Sequence, residues 1–267
     1  CTVVAANAIS TGPNEFVNLV SGWIVPSIDN LPPYAVASVT CHLAGEAMGK
    51  GAPEGIGDAL KRTLFEPIVS KVLSPMLQEA VRESDYNDDR LGGKLNNQRT
   101  ASMVLKALER WSAATACSLV RIKQVCLNSN VNIIDVISDA MYSDCEMIMD
   151  SLAEFLETLL RRHTEDEGVL EGLTVAGSRI IGNVTNANPN SASSLHNFEQ
   201  YLNAEITERR SILSELVSAV GLQRLRFNDR LRNGDTGVCR CLTSIARSIA
   251  VASQTEIKSG KFQNVER

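Results

Sequence analysis

Apolar residues recur at helical spacing along most of the chain, in five long segments that polar stretches separate. Within one segment, for example, Leu105, Leu108 and Trp111 stand three residues apart. Such spacing gathers apolar side chains on one face of a helix. The segments cover residues 55–84, 97–127, 132–163, 194–225 and 237–254. They predict an all-α fold in which at least three helices are long enough for an antiparallel bundle.

Polar breaks separate the helical segments, and the break over about 164–194 is long for a compact domain. It contains the acidic stretch TEDEG at 164–168, an isolated Arg179, and then mostly small polar residues. Loops of this length are commonly functional or become ordered on binding a partner. We therefore expect this loop to contact a partner.

The composition agrees with a helical, well-packed protein. Of the 267 residues 44% are hydrophobic and only 4% are aromatic, while Ala, Leu, Ser and Glu fill long stretches. A chain of this length can bury a core as one large domain or two small ones. The longest apolar runs fall short of the roughly 18 to 20 residues that cross a bilayer, so we expect a soluble chain without a membrane partner.

The net charge and the arginine content give opposite indications about nucleic-acid binding. The formal net charge of -5 argues against a nucleic-acid-binding protein, which usually carries a basic excess. Arginine nevertheless outnumbers lysine 18 to 8, and arginine suits bidentate contacts with phosphate or carboxylate. Several arginines cluster late in the chain, at positions 209, 210, 224, 226, 230 and 232. They could pair with the chain's own carboxylates, with a neighbouring subunit, or with phosphate.

The seven cysteines and three histidines do not predict a metal site or a cofactor. The cysteine number is odd, and the only close pair is Cys239 and Cys241, which lacks the CxxC spacing of zinc ligands. We expect reduced thiols in a cytosolic setting.

Two features of the sequence could indicate an enzyme, but each has a simpler explanation. Cys1 could act as an N-terminal nucleophile, but removal of an initiator methionine before a small residue explains it more simply. Carboxylate pairs at helix-face spacing, such as Asp150 with Glu154 or Glu205 with Glu208, are more often solvated or ion-paired faces than catalytic dyads. We therefore expect no enzymatic activity.

Two separate segments together resemble a known family. The N-terminal stretch PNEFVNLVSGWIVP, residues 13–26, resembles the start of the tobacco mosaic virus type of rod-virus coat protein. The stretch SRIIGNVTNANPNSASS, residues 178–194, resembles that family's inner loop. It precedes a segment with Arg210-Ser211 and Phe227-Asn228, which are similar to family positions in and after the following helix. The segment 98–100 with Trp111 is similar to the second helix of the family, although 59–63 is an alternative match, and Asp150, Leu152 and Leu156 are similar to its third helix.

This resemblance implies a coat protein that self-assembles into a helical rod around single-stranded RNA, located in the virion and, during assembly, in the host cytoplasm. It implies an antiparallel four-helix bundle over residues 1–237, enlarged by helices in insertions, and a C-terminal extension over 238–267. The residues expected to contact RNA are Arg179, Arg99, Arg210, Ser211, Arg161 and Arg162. The residues expected in the inner loop are Asn186, Asn188 and Pro189. The alternative is a non-viral helical scaffold or adaptor whose arginines bind acidic partners.

Overall fold

The computed structural model describes residues 12–24, 26, 30–49, 52, 54–84, 93–161, 189–222 and 224–258. These residues form helices joined by turns, and no strand occurs among them. The all-α class that the hydrophobic periodicity predicts is therefore confirmed.

The first half of the described chain contains six helices, two of which continue into a π-helical turn. They are α1 (Pro13–Leu19, continued by Val20–Ile24), α2 (Pro33–Ala47), α3 (Ile56–Thr63), α4 (Phe65–Ile68, continued by Val69–Leu73), α5 (Ser74–Ser84) and α6 (Gly93–Thr115).

The second half contains two short helices followed by longer ones. They are α7 (Leu119–Leu127), α8 (Ile133–Tyr142), α9 (residues 146–161), α10 (Pro189–Leu222), α11 (Arg224–Arg232) and α12 (Thr236–Lys258).

Each of the three predicted segments 55–84, 97–127 and 132–163 is helical but interrupted. The break between α6 and α7 shows why. Ala116 adopts a left-handed conformation with φ of 50°, and the amide of Cys117 donates to the carbonyl of Ser112 at 3.1 Å, which closes α6 as a Schellman motif. Ser118 then caps α7 by accepting from the amide of Arg121. Apolar periodicity continues across such a break, so periodicity alone does not reveal it.

Two further features differ from the sequence prediction. Helix α2 lies outside the five segments that the hydrophobic periodicity predicted. Pro189, expected in the inner loop, is instead the first residue of α10. Proline suits the first helical position, because its fixed φ matches the helix and the missing N–H would have no partner within the helix there.

The described helices share one hydrophobic cluster that has the fully buried Trp111 among its largest members. The indole Nε1 of Trp111 donates to the carbonyl of Thr40 in α2 at 3.0 Å, which ties α2 to α6 across the core. Phe16 and Val20 at the N-terminus and Val238 in α12 are also fully buried in this cluster. The proposed division between residues 237 and 238 thus falls in the first turn of a helix that packs on the same core.

Two helix pairs set the orientation of the core. Asn97, near the start of α6, donates to Glu83, near the end of α5, at 3.2 Å, and the two helices pack against each other, so α5 and α6 run antiparallel. Between α6 and α9, Ser102 lies 2.7 Å from Ser151, and Thr158 donates to Glu109 at 2.9 Å. Both pairs are 49 residues apart in sequence, so α6 and α9 run parallel.

Candidate nucleic-acid interface

The structure describes five of the nine predicted site residues. Arg99 is exposed in α6, Arg161 is exposed at the end of α9, and Arg210 and Ser211 lie in the middle of α10, with Pro189 at its start. The remaining predictions, Arg162, Arg179, Asn186 and Asn188, lie outside the described residues and stay predictions.

Arg99 and Arg161 occupy opposite ends of the helix pair α6 and α9. Residues of α6 and α9 that lie side by side differ by 49 in residue number, so Arg99 lies level with residue 148 of α9. Thirteen residues of α-helix separate that level from Arg161, about 20 Å at 1.5 Å per residue. A single phosphate cannot contact both side chains, so the structure separates two residues that the resemblance groups together.

Helix α12 runs beside α9 in the same direction and brings a second arginine to Arg161. At one end, a Cβ on Gly237 would lie 3.1 Å from the Cβ of Met149. At the other end, Arg161 and Arg247 line a cleft of about 310 Å³ between the two helices. The hydroxyl-bearing residues Thr158, Thr243, Ser244 and Ser248 also line this cleft. The hydroxyls of Thr158 and Ser248 already donate to Glu109 and to the carbonyl of Ser244. The guanidinium groups and the hydroxyls of Thr243 and Ser244 are donors suited to phosphate oxygens.

An ion pair compensates the one carboxylate in this cleft. Arg240 of α12 donates to both carboxylate oxygens of Glu157, from Nε at 2.8 Å and from a terminal nitrogen at 2.6 Å. These hydrogen bonds raise the pKa of Arg240. Glu157 is neutralised in this way, and the other charged side chains that line the cleft are Arg161 and Arg247. Arg247 is exposed, and no ion pair or hydrogen bond engages its side chain within the described ranges.

Ser211 belongs to a different surface. The hydroxyl of Ser211 donates to Glu215 at 3.2 Å, and both residues line a groove of about 330 Å³ between α8 and α10. Asp135 supplies a second carboxylate to this groove. Lys123 neutralises Glu215 at 2.8 Å, but the Ser211 hydroxyl already donates to Glu215 and Asp135 repels a phosphate group, so the surroundings of Ser211 favour a structural role over a phosphate contact.

Part of the C-terminal arginine cluster serves the fold itself. Arg230 donates to Asp235 at 2.7 Å and to the carbonyl of Ser143 at 2.7 Å, which anchors α11 to the turn before α9. Arg209 is only 5% exposed and donates to Glu205 one turn earlier. Of the three partners that the sequence left open for these arginines, the chain's own carboxylates thus engage Arg209 and Arg230.

Sequence reasoning missed Arg247, the most useful addition to the candidate interface. Thr243, Ser244, Arg247 and Ser248 stand at helical steps that gather them on one face of α12. This face is polar but carries no acidic residue, which is the signal that could have identified it.

The described residues offer no alternative centre for metal chemistry. Among them, no group of three or more His, Cys, Asp or Glu side chains is arranged to hold a metal ion. Six cysteines are free thiols, and burial raises the pKa of Cys126 and of Cys241 to about 12. A thiol with such a pKa is a poor nucleophile at neutral pH. No helix in the described ranges is both long and apolar enough to cross a membrane.

Comparison with protein-family models, curated proteins and solved structures finds no match to this chain. The functional assignment therefore depends on the sequence motifs and on the geometry of the candidate interface.

Proposed function

We propose that this chain is the coat protein of a rod-shaped virus, which assembles with many copies of itself into a helical tube around single-stranded RNA. In this proposal the protein is structural and non-enzymatic, and it resides in the virion and, during assembly, in the host cytoplasm. The all-α fold is compatible with the proposal. Helices α5 and α6 run antiparallel, whereas α6 and α9, which contain the residues similar to the second and third helices of the family, run parallel and so depart from the antiparallel four-helix bundle that the resemblance implies.

One observation carries the proposal: two arginines from neighbouring parallel helices line a single polar cleft at the end of α9. The chain continues from Arg161 directly into the segment that contains Arg179 and resembles the inner loop. A phosphodiester backbone in the cleft would receive charge-assisted hydrogen bonds from Arg161 and Arg247 without any contact to bases. Contacts of this kind suit packaging that does not depend on RNA sequence.

Exposed apolar side chains near the opposite end of α9 support the proposed contacts between subunits. Four large apolar side chains that are at least 38% exposed lie toward this end: Leu95, Tyr142, Met147 and Leu231. Leu95 is level with residue 144 by the α6–α9 offset, and Leu231 follows Arg230, which is bonded to Ser143. Exposed apolar side chains are common singly but favour association when they gather. We propose that this apolar end packs against a neighbouring copy and leaves the arginine end to RNA.

The first experiment determines the state of the purified protein. Particles are imaged by negative-stain microscopy, and their absorbance at 260 and 280 nm is measured to detect nucleic acid. We expect rods or stacked rings, with RNA in the rods. A monodisperse monomer without nucleic acid, by sedimentation over about pH 5 to 8, would refute the proposal and favour the scaffold alternative.

The second experiment tests the cleft through the salt dependence of RNA binding. Single Arg→Gln variants are made at Arg161, at Arg247 and, as a matched control, at Arg82, which is exposed in the last turn of α5. Each lost phosphate contact to single-stranded RNA lowers the slope of log K against log salt by about 0.7. We expect this change for the two cleft variants and none for Arg82→Gln. Equal slopes in all three variants would contradict an RNA-binding role of the cleft.

A further inference from the structure

A second polar cleft lies where the end of α6 meets α3 and α10, and it is separate from the cleft between α9 and α12. Its volume is about 290 Å³, and its walls come from three parts of the fold. Lys61 comes from α3, the stretch 116–124 from the α6–α7 turn and α7, and Arg209 from α10. None of these cleft residues belongs to the predicted RNA-binding set.

The cleft has an excess of positive charge. Three cationic side chains line it, Lys61, Arg121 and Arg209, against the single carboxylate of Glu205. Glu205 is paired with Arg209 and Arg121 is paired with Glu66, so Lys61 accounts for the excess. Lys61 is exposed, and no hydrogen bond or ion pair holds its ammonium group in the part of the chain that the structure describes. Two cations from different helices thus face one opening.

The pairing of Arg121 leaves donors for a ligand. One terminal nitrogen of Arg121 lies 3.0 Å from Glu66, and both side chains are about half exposed, at 46% and 50%. Exposed pairs of this kind contribute little energy because water screens them. Glu66 also accepts from Asn128 at 3.0 Å, so it does not depend on Arg121 alone. A guanidinium has five N–H donors, and a ligand in the cleft can engage those that Glu66 does not use.

Backbone amides at the start of α7 add to the positive potential around this cleft. The first turn of α7 begins at the Ser118 cap, and Val120 lines the cleft. The first amides of a helix lack partners within the helix and carry partial positive charge. Gln124, exposed one turn further along α7, adds a neutral donor at the edge. Together with the two cations, these groups surround a space large enough for a compact oxyanion.

We infer that this cleft binds a phosphate group. A phosphate group offers several acceptor oxygens for the Lys61 ammonium and for the N–H groups of Arg121 that Glu66 does not use, whereas a carboxylate offers fewer acceptors. The phosphate could belong to inorganic phosphate or to a phosphodiester, and the chemistry of recognition is the same for both. The inference does not depend on the proposed function, because it concerns different residues.

Isothermal titration calorimetry at constant ionic strength tests the inference. The probes are inorganic phosphate and a dinucleoside monophosphate, which carries one phosphodiester. Lys61→Gln removes the cation without a known partner, and Lys71→Gln makes the same charge change at another exposed lysine. We expect saturable binding that weakens about tenfold in Lys61→Gln, as for one lost charge-assisted contact, and is unchanged in Lys71→Gln.

A gain-of-charge variant gives the opposite test. Gln124→Lys adds a cation at the edge of the cleft and should tighten binding, while circular dichroism verifies that each variant is folded. Tighter binding of the dinucleotide than of inorganic phosphate assigns the site to phosphodiesters, and the reverse order assigns it to the free ion. Absence of saturable binding, or equal weakening in Lys61→Gln and Lys71→Gln, would overturn the inference. Phosphate binding that persists in Arg161→Gln while RNA protection is lost would separate this site from the proposed RNA interface.

Discussion

Replacement of Gly57 by alanine tests the close approach of α3 to α6. This approach also positions Lys61 beside the polar cleft where the end of α6 meets α3 and α10. A Cβ on Gly57 would lie 2.5 Å from the carbonyl oxygen of Ala114 in α6. Ordinary contacts between carbon and oxygen are about 3.3 Å, so the two helices would have to separate locally by about 0.8 Å. Lys61 lies one turn further along α3, so this separation would also move Lys61 away from the cleft.

Two opposing effects decide the sign of this change in stability. Alanine has a better helix propensity than glycine by up to about 1 kcal/mol, and less than this in the first turn of a helix. Overpacking against a neighbouring backbone costs about 1 to 3 kcal/mol. The clash should win, and we expect Gly57→Ala to lower the free energy of unfolding by about 1 to 2 kcal/mol.

Two other helical glycines provide matched controls. A Cβ on Gly237 would meet Met149 and Asp150 at 3.1 Å, whereas a Cβ on Gly221 would meet nothing within 4 Å. We therefore expect Gly221→Ala to be neutral or stabilising by about 0.5 kcal/mol, with Gly237→Ala between the two. At about 2 to 4 °C per kcal/mol for a domain of this size, the melting temperatures of Gly57→Ala and Gly221→Ala should differ by roughly 2 to 10 °C. Circular dichroism at 222 nm measures this difference. Equal melting temperatures would refute the close-approach argument.

Three further changes have defined outcomes. Ala116→Gly should raise the free energy of unfolding by about 0.5 to 1 kcal/mol in urea titration, because relief of left-handed strain exceeds the entropic cost of glycine; a lower value would contradict the strain. Cys239→Ser should remove one fast-reacting thiol from native protein treated with a thiol reagent, since Cys239 is exposed, whereas Cys126 and Cys241 are buried and should react only after unfolding. Lys123→Met should cost about 1 kcal/mol at neutral pH, because the lysine pairs with two partly exposed glutamates.

The pH dependence of the Lys123 contribution follows from the direction of its pKa shift. Burial lowers the pKa of Lys123, but hydrogen bonds from its ammonium group to Glu215 and Glu208 outweigh burial and raise it. A raised pKa means that the folded state holds the proton more tightly than the unfolded state. The stability difference between the parent and Lys123→Met should therefore be constant from about pH 7 to 9 and shrink as the pH rises through the folded pKa, above the ordinary value of 10.5. A difference that grows with alkaline pH would contradict this assignment.

The sequence predicted helix positions better than helix ends. The segments 97–127 and 132–163 are largely helical, yet the first breaks at Ala116 and the second at residues 143–145. Alanine is a strong helix former, so its left-handed conformation in a Schellman turn follows from tertiary packing rather than local preference. Helix α2 was missed for a related reason. Its buried positions include small or weakly apolar residues such as Ala37, Thr40 and Ala44, which do not produce a strong apolar stripe.

To predict the site, one must know which arginines pair with groups of the chain itself. These partners lie far away in the sequence. The arginine cluster was visible in the sequence, but Arg230 bonds to Ser143, 87 residues away. Glu157 and Arg240 are 83 residues apart. Their pairing leaves Arg161 and Arg247 as the other charged side chains that line the α9–α12 cleft. Only the register between α9 and α12 reveals this, and helical periodicity does not specify the register of one helix against another.

Arg99 distinguishes two paths for RNA on the proposed coat protein. A strand bound only at the arginine end of α9 would not reach Arg99, since the two levels are about 20 Å apart along the helix axis. Arg99→Gln should then leave the salt dependence of RNA binding unchanged, while Arg161→Gln lowers its slope. A strand that follows the side of the bundle would contact both residues, and both variants would lower the slope. Measurement of the two slopes under identical conditions decides between the paths, and a change in Arg99→Gln alone would show that the α9–α12 cleft does not bind RNA.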